Sequence, residues 1–124
     1  MRLNKVVLAT HNPGKLRELR ALLLGTDLEC KSQAEYQVPE IPETGQTFFE
    51  NALIKARHAC RYSGLPSIAD DSGLVVDCLQ GAPGVHSARF AGERAADSDN
   101  LEKLLQAVRA FSAEERTARF QCTM

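Results

Sequence analysis

The sequence predicts an α/β fold, a mixed sheet flanked by helices, and three observations carry that prediction. Short apolar runs of strand length alternate with longer segments whose leucines recur at helical spacing. The segment from Ala118 to Met124 alternates strictly between apolar and polar residues, the period of a half-buried strand. One strand-to-strand link is too short to hold a crossover, so antiparallel pairing is expected beside parallel pairing.

Lys5-Val6-Val7-Leu8-Ala9 is the first strand, and Met1-Arg2-Leu3-Asn4 leads straight into it without the look of a signal peptide. Leu16, Leu19, Leu22 and Leu23 share one helix face while Arg17, Glu18 and Arg20 fall elsewhere, and Gly25 stops this helix. Leu28 to Ser32 is a short second strand. Gln33 to Gly45 holds Pro39 and Pro42 without helical period and reads as a loop. Thr47 and Glu50 have capping-box spacing, and Phe49, Ala52, Leu53, Ala56 and Cys60 continue as the core face of a second helix that ends at Gly64. On another face of that helix, Asn51 and Lys55 stand four apart, so an amide and an ammonium can address a common target. Leu101, Leu104, Leu105 and Val108 mark a third helix after Ser98-Asp99. The last strand runs to the final residue without turn, cap or polar tail, which leads us to expect a chain cut inside a larger sheet protein.

At 124 residues the chain has the length of one domain, expected over 1–124, with enough surface to bury for a real core. Fifteen basic and sixteen acidic residues leave a net charge of -1, which argues against a nucleic-acid binder and confines any phosphate binding to a local site. No apolar run approaches the roughly 20 residues that span a bilayer. Cys30, Cys60, Cys78 and Cys122 show no metal-like spacing and are expected as reduced core thiols of a cytoplasmic protein. His11, His58 and His86 share no zinc-site spacing; His11 is assigned to a loop and His58 to the surface.

Two places carry candidate chemistry. Thr10-His11-Asn12-Pro13-Gly14-Lys15 follows the first strand and opens the first helix, where free N–H groups attract anions. Lys15 suits the positive end of the helix dipole poorly, a misfit that a nearby phosphate would resolve. The plainer reading makes Asn12 an N-cap, Pro13 the first helical residue and Lys15 a solvated cation. The second place is Asp70-Asp71-Ser72-Gly73, between Pro66-Ser67-Ile68-Ala69 and Leu74-Val75-Val76. Hard oxygen donors there suit Mg²⁺, which shares its shell with waters and substrate phosphates. Adjacent residues of an extended chain point to opposite faces, so the two acids take different tasks, one on the metal and one in support. Ser72 either donates to a phosphate oxygen or completes a turn. Glu43 is the second candidate metal ligand and Glu40 its reserve; either is otherwise a solvated loop acid. Arg89, after the small-residue stretch Gly81-Ala82-Pro83-Gly84, pairs with a phosphate or with an acid.

Taken together, Thr10 to Lys15, Glu43-Thr44-Gly45 with Thr47-Phe48, Glu50-Asn51-Ala52 with Lys55-Ala56, Ala69 to Leu74, and Gly81 to Gly84 with Ser87-Ala88-Arg89 resemble the Ham1/ITPase family of inosine/xanthosine triphosphate pyrophosphatases. The matching motifs run in order over essentially the whole chain. The resemblance implies two lobes about a central cleft, a homodimer, and Mg²⁺-dependent hydrolysis of the purine nucleoside triphosphates ITP, dITP and XTP to monophosphate and pyrophosphate. It also implies that Thr10, His11, Asn12, Pro13, Gly14, Lys15 and Lys55 hold the triphosphate. Asp71 would be the catalytic acid and a metal ligand, Glu43 would assist the metal, and Ser72 would contact substrate. The family's later F-G-[YW]-D and S-H-R segments, which read the base, have no counterpart before Met124, so this chain is expected to hold the phosphate half. A non-catalytic Mg-nucleotide-binding fragment is the alternative, and a general phosphatase or a purely structural role would be distinguished by products and by nucleotide binding.

Overall fold

The apolar run after Asn4 forms strand β1, Lys5–Leu8, in a computed structural model that describes residues 4–124. The expectation for Met1 to Leu3 therefore lies outside the described residues. β1 is the centre of a three-stranded parallel sheet of order β2-β1-β3, with β2 at Glu29–Ser32 and β3 at Ser67–Ile68. Helix α1, Pro13–Leu22, and helix α2, Phe48–Ser63, supply its two covers. Val6 and Leu8 pack with Leu19 of α1, whereas Val7 and Ala9 pack with Ala59 of α2, Val38 and Ala69. A parallel strand buried on both sides has no solvent face, and this is why its sequence is a continuous apolar run instead of an alternation.

The α2 face differs from expectation by one position. Phe48, Ala52 and Ala59 are buried, while Phe49 is 63% exposed and Cys60 is exposed. Alanines at 52, 56 and 59 let the helix backbone approach the core closely, and that stripe selects Phe48 over its neighbour. In α1, likewise, Leu19 is buried but Leu22 is exposed. Thr47 caps α2 by accepting from the Glu50 N–H at 3.1 Å. The return bond of the capping box falls one residue early, with Glu50 Oε2 accepting from the Gln46 N–H at 2.7 Å. Gly64 ends α2 at φ 70°, a left-handed conformation that suits glycine. Within the Gln33–Gly45 loop, Gln33–Tyr36 forms a short 3₁₀ turn.

The chain divides into two compact units, one ending at Asp70 and one spanning Asp71–Thr123. In the second unit, β4 (Asp71–Val76) pairs antiparallel with β5 (Ala118–Thr123), in a register running from Asp71 opposite Thr123 to Val76 opposite Ala118. Parallel and antiparallel pairings thus both occur, as expected, but in separate sheets. Helix α3, Asp97–Val108, buries Val108, while Leu101 and Leu105, expected on its core face, are each 56% exposed. β5 was expected to be half-buried; instead it is exposed along nearly its whole length, with Phe120 at 86%. Its alternation is real, but Ala118, Phe120 and Cys122 on its apolar face are exposed. Of the cysteines expected in the core, Cys60 and Cys122 are exposed and Cys30 and Cys78 half-buried. No helix among the described residues is long and apolar enough to cross a membrane.

Candidate functional site

The turn from Thr10 to Lys15 is built by its own side chains. Asn12, in extended backbone, accepts through Oδ1 from the N–H groups of Gly14 at 2.9 Å and Lys15 at 3.3 Å. Thr10 Oγ1 in turn accepts from the Asn12 N–H at 3.1 Å. Pro13 sits at the first helical position, where no donor is lost. The plainer reading of this turn holds for Asn12 and Pro13 but not for Lys15, which is ion-paired instead of solvated, and the cap occupies two of the helix N–H groups. Outward contacts then fall to side chains: the Thr10 hydroxyl proton, exposed His11, and Lys15.

Lys15 has a local reason to stand at a helix start. Its Nζ lies 3.2 Å from Asp70 Oδ2 and 3.3 Å from Glu18 Oε2. Desolvation pulls its pKa down, but hydrogen bonding and charge attraction from Asp70, then Glu18, outweigh this and hold the ammonium above its ordinary value. The misfit with the helix dipole, which the sequence suggested a phosphate would answer, is thus already answered by two carboxylates.

Asp70 and Asp71 are both buried, at 5% and 7% exposure, and each terminates a different unit. Asp70 closes the segment after β3 and pairs with Lys15, whereas Asp71 is the first residue of β4. Ser72 and Gly73 continue that strand, so the alternative in which Ser72 completes a turn does not hold. Ser72 is an exposed strand residue.

The Glu43 segment is fastened to α2 by three side chains one face apart, at positions i, i+4 and i+7. Asn51, fully buried at 0% exposure, accepts through Oδ1 from the Gly45 N–H at 2.7 Å and donates through Nδ2 to the Gly45 carbonyl at 3.4 Å. Lys55 Nζ stands 3.5 Å from Glu43 Oε1. The His58 ring, with Nε2 donating, meets the Pro39 carbonyl at 2.8 Å and lies edge-on to Tyr62. The common target of Asn51 and Lys55 is therefore this loop. The Asn51–Lys55 spacing is legible in the sequence, but it does not place Asn51 in the site, and His58 reads there as a surface residue. Extending the spacing by one more turn to His58 was the signal that could have found the fastening.

In the second unit, Ser87 Oγ accepts from the Leu74 N–H at 2.9 Å and donates to the Gly84 carbonyl at 2.6 Å. Asn100 of α3 binds the Ala91 N–H at 2.8 Å and the Ala88 carbonyl at 3.0 Å, and Lys103 donates to the Phe90 carbonyl at 2.7 Å. The 3₁₀ turn Gly84–Arg89, which the sequence suggests as a loop, is thus held from both sides.

Glu43, Asp70 and Asp71 offer only hard carboxylate oxygens, and two of the three are buried. Among the described residues no three His, Cys, Asp or Glu side chains gather into a metal cage. Mg²⁺ needs no such cage, since one or two carboxylates together with waters and phosphates complete its shell. The donor chemistry fits that ion.

Fold and site together define an α/β protein that pairs a buried acid with a lysine at the start of one helix and a half-buried loop acid with a lysine along the face of another. The chain belongs to the Ham1 family, which it matches over residues 6–124. It is 57% identical over 122 residues to a dITP/XTP pyrophosphatase of Vibrio parahaemolyticus, covering 98% of this chain and 61% of that protein. A HAM1 protein from Coxiella burnetii has the same fold, with TM-score 0.89 and 47% identity over 96% of this chain and 60% of that one. A nucleoside-triphosphatase / dITP/XTP pyrophosphatase from Mycobacterium abscessus superposes with TM-score 0.81 at 43% identity, over 95% of this chain and 62% of that one. The chain therefore spans about three fifths of the length of the curated relatives it matches, as its 61% share of the Vibrio protein shows.

Proposed function

We propose that the protein hydrolyses non-standard purine nucleoside triphosphates, namely ITP, dITP and XTP, to the monophosphate and pyrophosphate, clearing them from the nucleotide pool. The observation that carries this reading is the 57% identity, across 98% of the chain, to a protein named for that activity on dITP and XTP. The local geometry supports it, because the chain combines cations for a triphosphate with acids for a metal and a water.

In this reading Thr10, His11 and Lys15 meet the triphosphate at the turn that Asn12, Pro13 and Gly14 shape. Lys55 adds a second positive charge and Ser72 a hydroxyl contact. Asp71 and Glu43 are the residues that would hold Mg²⁺, which when bound supplies charge neutralisation and polarises phosphoryl oxygens. Asp71 orients a water for in-line attack on the α-phosphorus and accepts its proton, while Lys15 and Lys55 offset the charge gathering on the departing pyrophosphate. Asp70, through its ion pair, sets the position of the Lys15 ammonium. The residues 1–124 form one functional domain of a cytoplasmic homodimer, a setting supported by family membership.

Incubating the protein with Mg²⁺ and, separately, ITP, XTP, ATP and GTP tests the proposal. Pyrophosphate released faster from ITP and XTP than from ATP and GTP is the expected result. Nucleotide binding without product would instead identify a binding module, and orthophosphate as the first product would identify a general phosphatase; either overturns the proposal.

A further inference from the structure

Among the described residues, Asn51 is the one fully buried polar side chain in the first unit's core, and it is spent on the backbone of a single residue. Both ends of its amide engage Gly45, Oδ1 at 2.7 Å from the Gly45 nitrogen and Nδ2 at 3.4 Å from the Gly45 oxygen. A glycine is required at the receiving position, because a Cβ there would lie 2.6 Å from Asn51 Oδ1 and 2.7 Å from Glu50 Cβ. Gly45 is two residues from Glu43, whose carboxylate stands 3.5 Å from Lys55 Nζ one turn further along the same helix. Four residues beyond Asn51, then, a charge meets the same loop that Asn51 clamps, and at His58 the ring meets its other end at Pro39 at 2.8 Å.

We propose that Asn51 is a positioning residue: by gripping both polar groups of Gly45 it fixes the Glu43-Thr44-Gly45 turn on α2 and so sets where the Glu43 carboxylate stands beside Lys55. A buried amide suits this task because it satisfies a donor and an acceptor at once and carries no charge to compete with Glu43 for Lys55 or for a cation. A solvated loop acid would sample many positions; one whose turn is clamped two residues away presents a fixed oxygen donor. Groups that orient metal-ligating carboxylates act on metal affinity in this manner without touching the ion. The inference rests on the reading of Glu43 as a Mg²⁺ ligand and goes beyond it by assigning what holds Glu43 in place.

The test compares wild type with Asn51→Ala, Asn51→Asp, Gly45→Ala and Glu43→Gln. Two quantities are read: hydrogen exchange at the Gly45 amide, and the Mg²⁺ concentration that half-saturates the shifts of the 43–45 amides in a titration with Mg²⁺ alone. Asn51→Ala is expected to speed Gly45 exchange about tenfold, the loss of one hydrogen bond, while the Val7 and Leu8 amides keep their protection. It is expected to weaken Mg²⁺ binding about 10–100-fold. Asn51→Asp retains the acceptor but not the donor and is expected to fall between Asn51→Ala and wild type in exchange. Unchanged exchange in Asn51→Ala, or faster exchange with Mg²⁺ affinity within about twofold of wild type, overturns the inference. Should Asn51→Ala fail to fold, Gly45→Ala decides by the same two criteria, since it forces the turn off an intact Asn51. If Glu43→Gln itself leaves the titration unchanged, the metal reading beneath has failed; if Glu43→Gln abolishes it while the Asn51 and Gly45 variants do not, only the positioning role has failed.

Discussion

Lys15 and Asp71 show how much a single side chain's surroundings decide. The Lys15 ammonium is shared by a buried and an exposed carboxylate, at 3.2 Å and 3.3 Å, and its pKa is raised despite partial burial. A raised lysine pKa in the folded state adds stability that is fully present below the unfolded value and is lost as pH climbs through the folded one. Lys15→Met should therefore be less stable than wild type by about 1 kcal/mol at neutral pH, a modest figure because the ammonium is partly solvated. In urea titrations that difference should hold up to the ordinary lysine value of 10.5 and close above it. Asp71 is buried at the first position of β4. Asp71→Asn is expected to lower kcat for pyrophosphate release from ITP by about 10²–10³-fold, or about 2.7–4 kcal/mol of transition-state stabilisation, by analogy with a removed electrostatic stabiliser. Near-normal turnover in that variant would remove Asp71 from the mechanism.

At the scale of elements, caps and clamps at strand and helix ends govern which segments are fixed. Asn12 satisfies two N–H groups at the start of α1, so Asn12→Ala should cost about 1 kcal/mol of global stability, measured by chemical denaturation. The same variant loosens the turn that carries Lys15, which should raise KM for ITP more than it lowers kcat. At the far end of β4, Asp77 accepts from the Thr117 hydroxyl at 2.6 Å and from Arg119 at 2.9 Å, and these bonds hold its carboxyl below the usual aspartate value. A lowered carboxyl pKa adds stability that is present above the unfolded value and is lost as pH falls through the folded one. Asp77→Asn should accordingly be less stable than wild type at pH near 7, and the gap should close as the solution is acidified below 3.8. A gap that persists in acid would mean that the carboxylate is not what joins β4 to β5. The elements themselves were largely legible, since β1, α1, β2, α2, α3 and β5 all lie where period and punctuation put them. What was not legible was helix phase: nothing in the local pattern around Phe48-Phe49 says which ring faces inward, because both positions fit an amphipathic helix and only the packed alanines choose.

For the molecule as a whole, burial is unevenly distributed. Among the described residues, ten apolar side chains from Val6 to Ala69 are buried in the first unit, against Val76 and Val108 in the second. Cooperative protection scales with such burial, so amides of β1 should exchange more slowly than those of β5 and α3 when followed by hydrogen–deuterium exchange. Equal protection in β1 and β5 would contradict this. By itself the sequence determined the α/β class, the order of elements and the family, because each depends on local spacing or on motifs kept in order along the chain. Tertiary structure alone decided that Asp70 serves Lys15, that Asp71 opens a strand instead of a turn, and that Asn51 is buried against Gly45. It also decided that Leu101 and Leu105 of α3 and the apolar face of β5 lie exposed. The reason is physical: propensity and periodicity are set by near neighbours, whereas ion pairs, burial and the choice between two adjacent side chains depend on atoms brought together from distant parts of the chain.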